Sequence, residues 1–161
     1  AGRDLEAGGT WLGVDVRGRC ALVTNVRDLR LGQEGLSRGL LASDYLRGNA
    51  GARAQARSLL PVAAGYRPFN LLLADAHYCI WRGRHAQPRM AAVDAGVHVL
   101  SNAELERERW LSSAVIRGQD YGTRASTVVA IGHDGHGVII ERRWGPMGVA
   151  LGQTRLPIGR L

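Results

Sequence analysis

The sequence predicts an α+β fold with a largely antiparallel sheet. The pairs 10–16 with 19–26, 69–74 with 78–81, and 126–131 with 137–143 each join two apolar, β-branched runs through a short link. Such pairs read as β-hairpins. Only three segments have helical spacing, and they fall between hairpins rather than alternating with single strands. That order favours antiparallel pairing with segregated helices over a parallel βαβ sheet. No internal repeat or low-complexity stretch interrupts the pattern.

The first hairpin follows the entry AGRDLEAGG, where Gly8 and Gly9 permit backbone conformations closed to other residues. Arg17-Gly18 forms its link. Alternation in the second strand places Ala21, Val23 and Asn25 on one face and Cys20, Leu22, Thr24 and Val26 on the other. Asn25 thus ends an otherwise apolar face. An unpartnered carboxamide costs about 1–3 kcal/mol, so Asn25 either caps the strand end or aims its amide into a site.

Residues 29–35 read as a loop. Ser37 is placed to cap a helix that carries Leu40, Leu41, Tyr45 and Leu46 on one face and stops at Gly48. Asn49 is placed to cap a second helix over 50–60, ended by Pro61; its Arg53 and Arg57 fall on a solvated face. The strand FNLLLA at 69–74 is apolar on both faces apart from Asn70, which predicts an interior position. A turn at 85–88 leads to short strands at 89–92 and 96–100, the latter ending on Ser101-Asn102. Residues 104–116 have helical spacing, with Leu105, Trp110, Leu111 and Val115 available for packing. The third hairpin turns at His133-Asp134-Gly135-His136, and a last strand covers 149–156.

At 161 residues the chain is expected to form one domain or most of one, long enough to bury a sizeable core. Its apolar runs are too short to cross a bilayer, and no basic-then-apolar leader opens the sequence. The net charge is +7, and all 21 basic residues are arginine. Such a charge suits an anionic partner, and a basic nucleic-acid-binding module is the alternative it raises, with affinity that falls steeply with salt. The arginines are scattered, without the aromatic-plus-basic spacing of an RNA-binding sheet, so no nucleic-acid partner is expected. Cys20 and Cys79 lack metal-ligand spacing and a disulfide framework. They read as reduced buried thiols, which suits a reducing, cytoplasmic compartment.

Three polar residues share a placement. Asn25 and Asn102 end predicted strands, and Arg124 directly precedes one. Asn amides can donate to a developing oxyanion, and an Arg fork can hold a carboxylate or orient a nucleophile. All three could equally cap strand ends. Trp11 could line a ligand pocket or belong to the core. His133 and His136 could bind a metal, but an exposed turn explains them, so no metal site is assigned. Gly-Gly-Thr-Trp-Leu-Gly lacks the Lys-Ser/Thr ending of a phosphate loop, and no Cys-x-x-Cys-His word supports haem attachment.

GRDLEAGGTWLG followed by TNVRD resembles the NRDE protein family, also called the Transport and Golgi Organisation 2 family. Ser37-Arg38-Gly39, then GVHVLSNA at 96–103 and YGTRASTV at 121–128, match in the same order and carry the resemblance through most of the chain. It implies an N-terminal-nucleophile-hydrolase-like αββα sandwich, with antiparallel sheets between helix layers. It also implies a pocket for a small or lipid-like ligand, with haem as candidate cargo, acyl lipids as the other class, and no required cofactor. By similarity to choloylglycine-type amidases, Asn25 would be an oxyanion donor, Asn102 a substrate or oxyanion contact, and Arg124 the charge that tunes a thiol. Gly9, Thr10 and Trp11 would line the ligand site. The family's Cys near the initiator, which would make an amide hydrolase, and its Asn-Arg-Asp-Glu word lie upstream of the stretch that opens this chain at Ala1. Ala103 runs into Glu104-Leu105-Glu106 where members carry a Trp-Pro-Lys word and a helical insert. The expectation is one family domain over 1–161, lacking an N-terminal and an internal segment.

Overall fold

The computed structural model describes residues 2–26, 32, 34–84, 88–95, 98–100, 105–107, 117–120, 122–132, 134 and 136–159. The chain forms two compact units, Ala1–Glu108 and Arg109–Leu161. Both are built on antiparallel sheets, and the first adds two helices, so the fold is α+β.

In the first unit β1 (Leu12–Val14), β2 (Cys20–Asn25), β3 (Phe69–Ala74), β4 (Cys79–Gly83) and β5 (Arg89–Ala92) form one antiparallel sheet in sequence order. The register sets Cys20 against Ala74 and Asn25 against Phe69, then Ala74 against Cys79 and Asn70 against Gly83. β3 is the central strand, as its two-faced apolar pattern requires. Helices α1 (Gly39–Arg47) and α2 (Ala52–Ser58) cover one face. There Ala21, Val23, Phe69, Leu71, Leu73 and Ile80 meet Leu41, Ala42, Tyr45, Ala52 and Ala56. Removal of this apolar surface from water supplies the main drive for folding. The Tyr45 hydroxyl, carried into the core, donates to the Ala74 carbonyl at 3.0 Å.

The turn between β1 and β2 also anchors the helices. Asp15 accepts from the side chains of Arg17 and Arg19, at 3.0 and 2.8 Å. Both guanidinium groups then donate to the carbonyls of Leu46 and Gly48, and Arg19 also to that of Ala50. The free carbonyls at the end of α1 are thereby satisfied by cations, which also suit the negative end of the helix dipole. Arg19 lies 4.6 Å above the Tyr45 ring.

Neither helix starts as its sequence suggests. Arg38, not Ser37, occupies the position before α1 and makes no side-chain cap. Gly51, not Asn49, precedes α2. Asn49 instead accepts from Arg17 at 2.8 Å. The first N–H of α2, at Ala52, donates to Asp75 at 2.7 Å, while the other oxygen of Asp75 accepts from His77 and Tyr78. One carboxylate thus caps the helix and closes the β3–β4 turn.

A two-stranded ribbon joins β6 (His98–Leu100) to β7 (Leu105–Arg107), with Leu100 opposite Leu105. This corrects the helix expected over 104–116: residues 105–107 are extended, and the remainder lies outside the described residues. A helical spacing of apolar residues does not prevent pairing with a neighbouring strand.

In the second unit β8 (Ala125–Ile131), β9 (Gly137–Trp144) and β10 (Ala150–Ile158) form a three-stranded sheet in the order β10-β9-β8. The β9–β10 connection contains a turn at Pro146–Gly148, where Met147 has φ 58° and Gly148 φ 75°. Trp144 donates its indole N–H to the Ser126 hydroxyl at 3.0 Å. No helix among the described residues is long and apolar enough to cross a membrane.

Candidate functional site

One end of the five-stranded sheet gathers most of the expected site residues. β1 begins there and β2 finishes there, because the two strands run antiparallel with Leu12 opposite Leu22. Gly9, Thr10 and Trp11 lead into β1, and Asn25 ends β2. The Val23 N–H donates to the Trp11 carbonyl at 2.8 Å, which extends the ladder toward Asn25.

Gly9 is held against the first turn of α1. A Cβ added to it would overlap the carbonyl group of Gly39, and one on Gly39 would lie 3.1 Å from the Thr10 nitrogen. The two glycines let the entry loop and the helix meet backbone to backbone, and the Thr10 N–H donates to the Gly39 carbonyl at 3.1 Å. This close approach is a physical reason for Gly in both the Gly-Gly-Thr and Ser-Arg-Gly words. The Thr10 hydroxyl is buried and reaches the Gly2 carbonyl at 2.6 Å. Gly9 and Thr10 also border a groove of about 280 Å³ that runs beside Val14, Ser43, Leu46 and Arg47.

Trp11 is not a core residue: 44% of its surface is exposed, and Arg38 lies 5.9 Å above its ring. Arg38 donates to the Pro68 carbonyl at 3.0 Å. Burial and then the charge of Arg67 hold Arg38 below the usual arginine range. Asn25 is half-buried, and its Oδ1 has no hydrogen-bond partner. A carboxamide oxygen left open in this way has yet to be matched by a donor.

The other two expected residues are placed differently. Asn102 lies outside the described residues, as does His133. Arg124 belongs to the second unit. It is exposed, immediately precedes β8, and its carbonyl accepts from the Trp144 N–H at 2.8 Å. It borders a shallow notch with Thr123, Gly145 and Pro146. His136 is exposed in the β8–β9 turn, and no group of three His, Cys, Asp or Glu residues converges among the described residues.

Both thiols are free. Burial, then the neighbouring Cys79, pushes the Cys20 thiol up to about 12. Burial, then the charge of Asp75, raises that of Cys79. Each is therefore held as the protonated thiol at neutral pH and is a poor nucleophile.

Sequence reasoning missed a second set of polar groups in the same sheet. Asn70 is fully buried and accepts from the Trp81 indole N–H at 3.2 Å, on the face away from the helices. Arg82 is buried on the helix-covered face, with Arg84 two residues beyond it. The signal was present: Asn70 interrupts FNLLLA, and alternation from the core residue Ile80 assigns Arg82 and Arg84 to the inward face.

A family model described as Transport and Golgi organisation 2 matches residues 1–112. The Transport and Golgi organization 2 homolog of Mus musculus is 30% identical over 114 residues, covering 66% of this chain and 41% of that protein. The Homo sapiens homolog is 30% identical, with the same coverage. The Bos taurus homolog is 24% identical over 208 residues, covering 88% of this chain and 75% of that protein. The match therefore spans less than half the length of the mouse and human relatives.

Proposed function

The chain belongs to the Transport and Golgi organisation 2 family, and on that premise we propose that it binds a small amphipathic ligand, haem or an acyl lipid, on an N-terminal-nucleophile-hydrolase-like scaffold. The observation that carries this reading is the buried, unpartnered Oδ1 of Asn25. A protein that leaves a buried acceptor open forgoes stability, and a ligand donor is the natural group to meet it. Exposed Trp11, leading into the neighbouring strand, offers an aromatic face for an apolar ligand body. By resemblance alone, Asn102 would be a ligand contact and Arg124 a fixed positive charge.

The second reading is an amide hydrolase using an N-terminal Cys, as the family resemblance implies, with Asn25 and Asn102 at the oxyanion. Cys20 and Cys79 favour that form over one using an internal thiol, because burial keeps both protonated.

Titration of the full-length protein with haemin and with palmitate tests the first reading. Saturable binding is expected, weakened roughly tenfold by Asn25→Ala, in line with one lost hydrogen bond. No saturable binding of either ligand would refute it. Turnover of amide substrates, abolished by replacing an N-terminal Cys, would establish the hydrolase instead.

A further inference from the structure

At the end of the five-stranded sheet, three polar atoms are buried without partners on one face. Arg82 pairs with Leu71, and Leu71 with Val23. Arg84 donates its N–H to the Phe69 carbonyl at 2.8 Å, and Phe69 pairs with Asn25. Residues opposite one another in an antiparallel sheet project to the same side. Arg82, Arg84 and Asn25 therefore share the helix-covered face with Val23, Phe69 and Leu71.

Arg82 is only 2% exposed. Its Nε, Nη1 of Arg84 and Oδ1 of Asn25 have no hydrogen-bond partner. Neither guanidinium makes an ion pair with a carboxylate among the described residues. Arg38, bonded to the carbonyl next to Phe69, brings further positive charge to this end of the sheet. A buried cation with an open donor is costly, and the cost is recovered only when an anion or acceptor meets it.

We infer that this end of the sheet binds the carboxylate of an amphipathic ligand, with Arg82 and Arg84 holding the head group. Open donors on two guanidinium groups suit the two oxygens of a carboxylate. Val23, Phe69 and Leu71 are sealed in the core beside them, while Trp11, bonded to Val23 along the ladder and 44% exposed, leaves apolar surface open at this end; that favours an anion attached to an apolar body over a bare inorganic one. Asn25 Oδ1 accepts from an O–H or N–H of the same ligand. Asn25 and Arg84 are half-buried and Arg82 is deeper. Asn25 and Arg84 therefore form the outer part of the proposed site and Arg82 its inner end. The inference rests on the reading of the first unit as ligand-binding and adds which end of the ligand it holds.

The test compares decanoate, decan-1-ol and inorganic phosphate by calorimetric titration of the full-length protein, in wild type, Arg82→Met and Arg84→Gln. Wild type should bind decanoate at least tenfold more tightly than decan-1-ol or phosphate. Arg84→Gln should weaken decanoate roughly tenfold, and Arg82→Met should abolish the preference for the acid. Ligand-free Arg82→Met should also melt higher than wild type, because a buried charge without a carboxylate partner among the described residues has gone; a purely structural arginine would give a lower melting temperature. Equal binding of acid and alcohol, equal binding of phosphate, or a lower melting temperature for Arg82→Met overturns the inference. If Arg82→Met does not fold, unchanged decanoate affinity in Arg84→Gln does so. Haemin and palmitate binding without any preference for the free acid would sink this inference alone. Failure of every ligand to bind would sink the ligand-binding reading with it.

Discussion

A methyl group at Gly9 would overlap the Gly39 carbonyl, and the atoms it meets are backbone, which cannot swing aside as a side chain would. Relief requires the entry loop to move off α1, with loss of the Thr10 N–H bond to Gly39. Gly9→Ala is therefore expected to destabilise the protein by roughly 1–3 kcal/mol, the usual cost of forcing volume into a filled space. Gly8→Ala meets no atom within 4 Å and is resisted only by its φ of 74°, so it should cost less. Thermal melts of the two variants check the order. A Gly9→Ala protein as stable as wild type would show that the contact is not tight. The same contact shows what the sequence held: Gly8 and Gly9 read as permissive backbone, but the reason for Gly39 lies in a neighbour thirty positions away and is invisible to local pattern.

At the scale of elements, hairpins were legible and helix ends were not. Alternation and short apolar runs depend on residues close in sequence, so β2, β3, β8 and β9 follow from their own residues. The caps of α1 and α2 come from elsewhere in the chain: Arg17 and Arg19 from the first turn, and Asp75 from the β3–β4 turn. Asp75 carries a prediction. Burial raises its carboxyl pKa, but the N–H donors of Ala52, His77 and Tyr78, with the charge of His77, outweigh this and hold it below the ordinary Asp value. A carboxyl depressed in the folded state stabilises the fold above its unfolded pKa of about 3.9. That contribution disappears as pH falls through the lower folded value. Asp75→Asn keeps an oxygen for the turn but loses the acceptor for Ala52. It should cost about 1 kcal/mol at neutral pH, the usual worth of a helix cap. Its stability deficit relative to wild type should shrink below pH 4. Urea titrations at pH 7 and pH 3 decide the matter, and a deficit that grows in acid would contradict the assigned sign.

Taken whole, the chain joins two units with unlike interiors. The first buries a core between one sheet face and two helices. In the second, Gly145 is the one buried residue among those described, while Val128, Leu151 and Leu156 are each more than half exposed. Antiparallel ladders hold that sheet together, yet a sheet needs a packed face to resist opening. Opening free energies follow buried apolar contact, so local stability should differ between the units. Native-state hydrogen exchange on the intact chain is expected to leave the amides of β2 and β3 protected longest. Those of β8 and β10 should exchange at least roughly tenfold faster, the rate equivalent of about 1.4 kcal/mol. Addition of a ligand that binds at the Asn25 end should slow β2, β3 and β4 further, because ligand binding to the native state alone raises the cost of opening there. Equal protection in both units without ligand would mean that the exposed apolar residues of the second sheet are covered in solution. Ligand protection confined to β8–β10 would move the binding site away from Asn25 and Arg82.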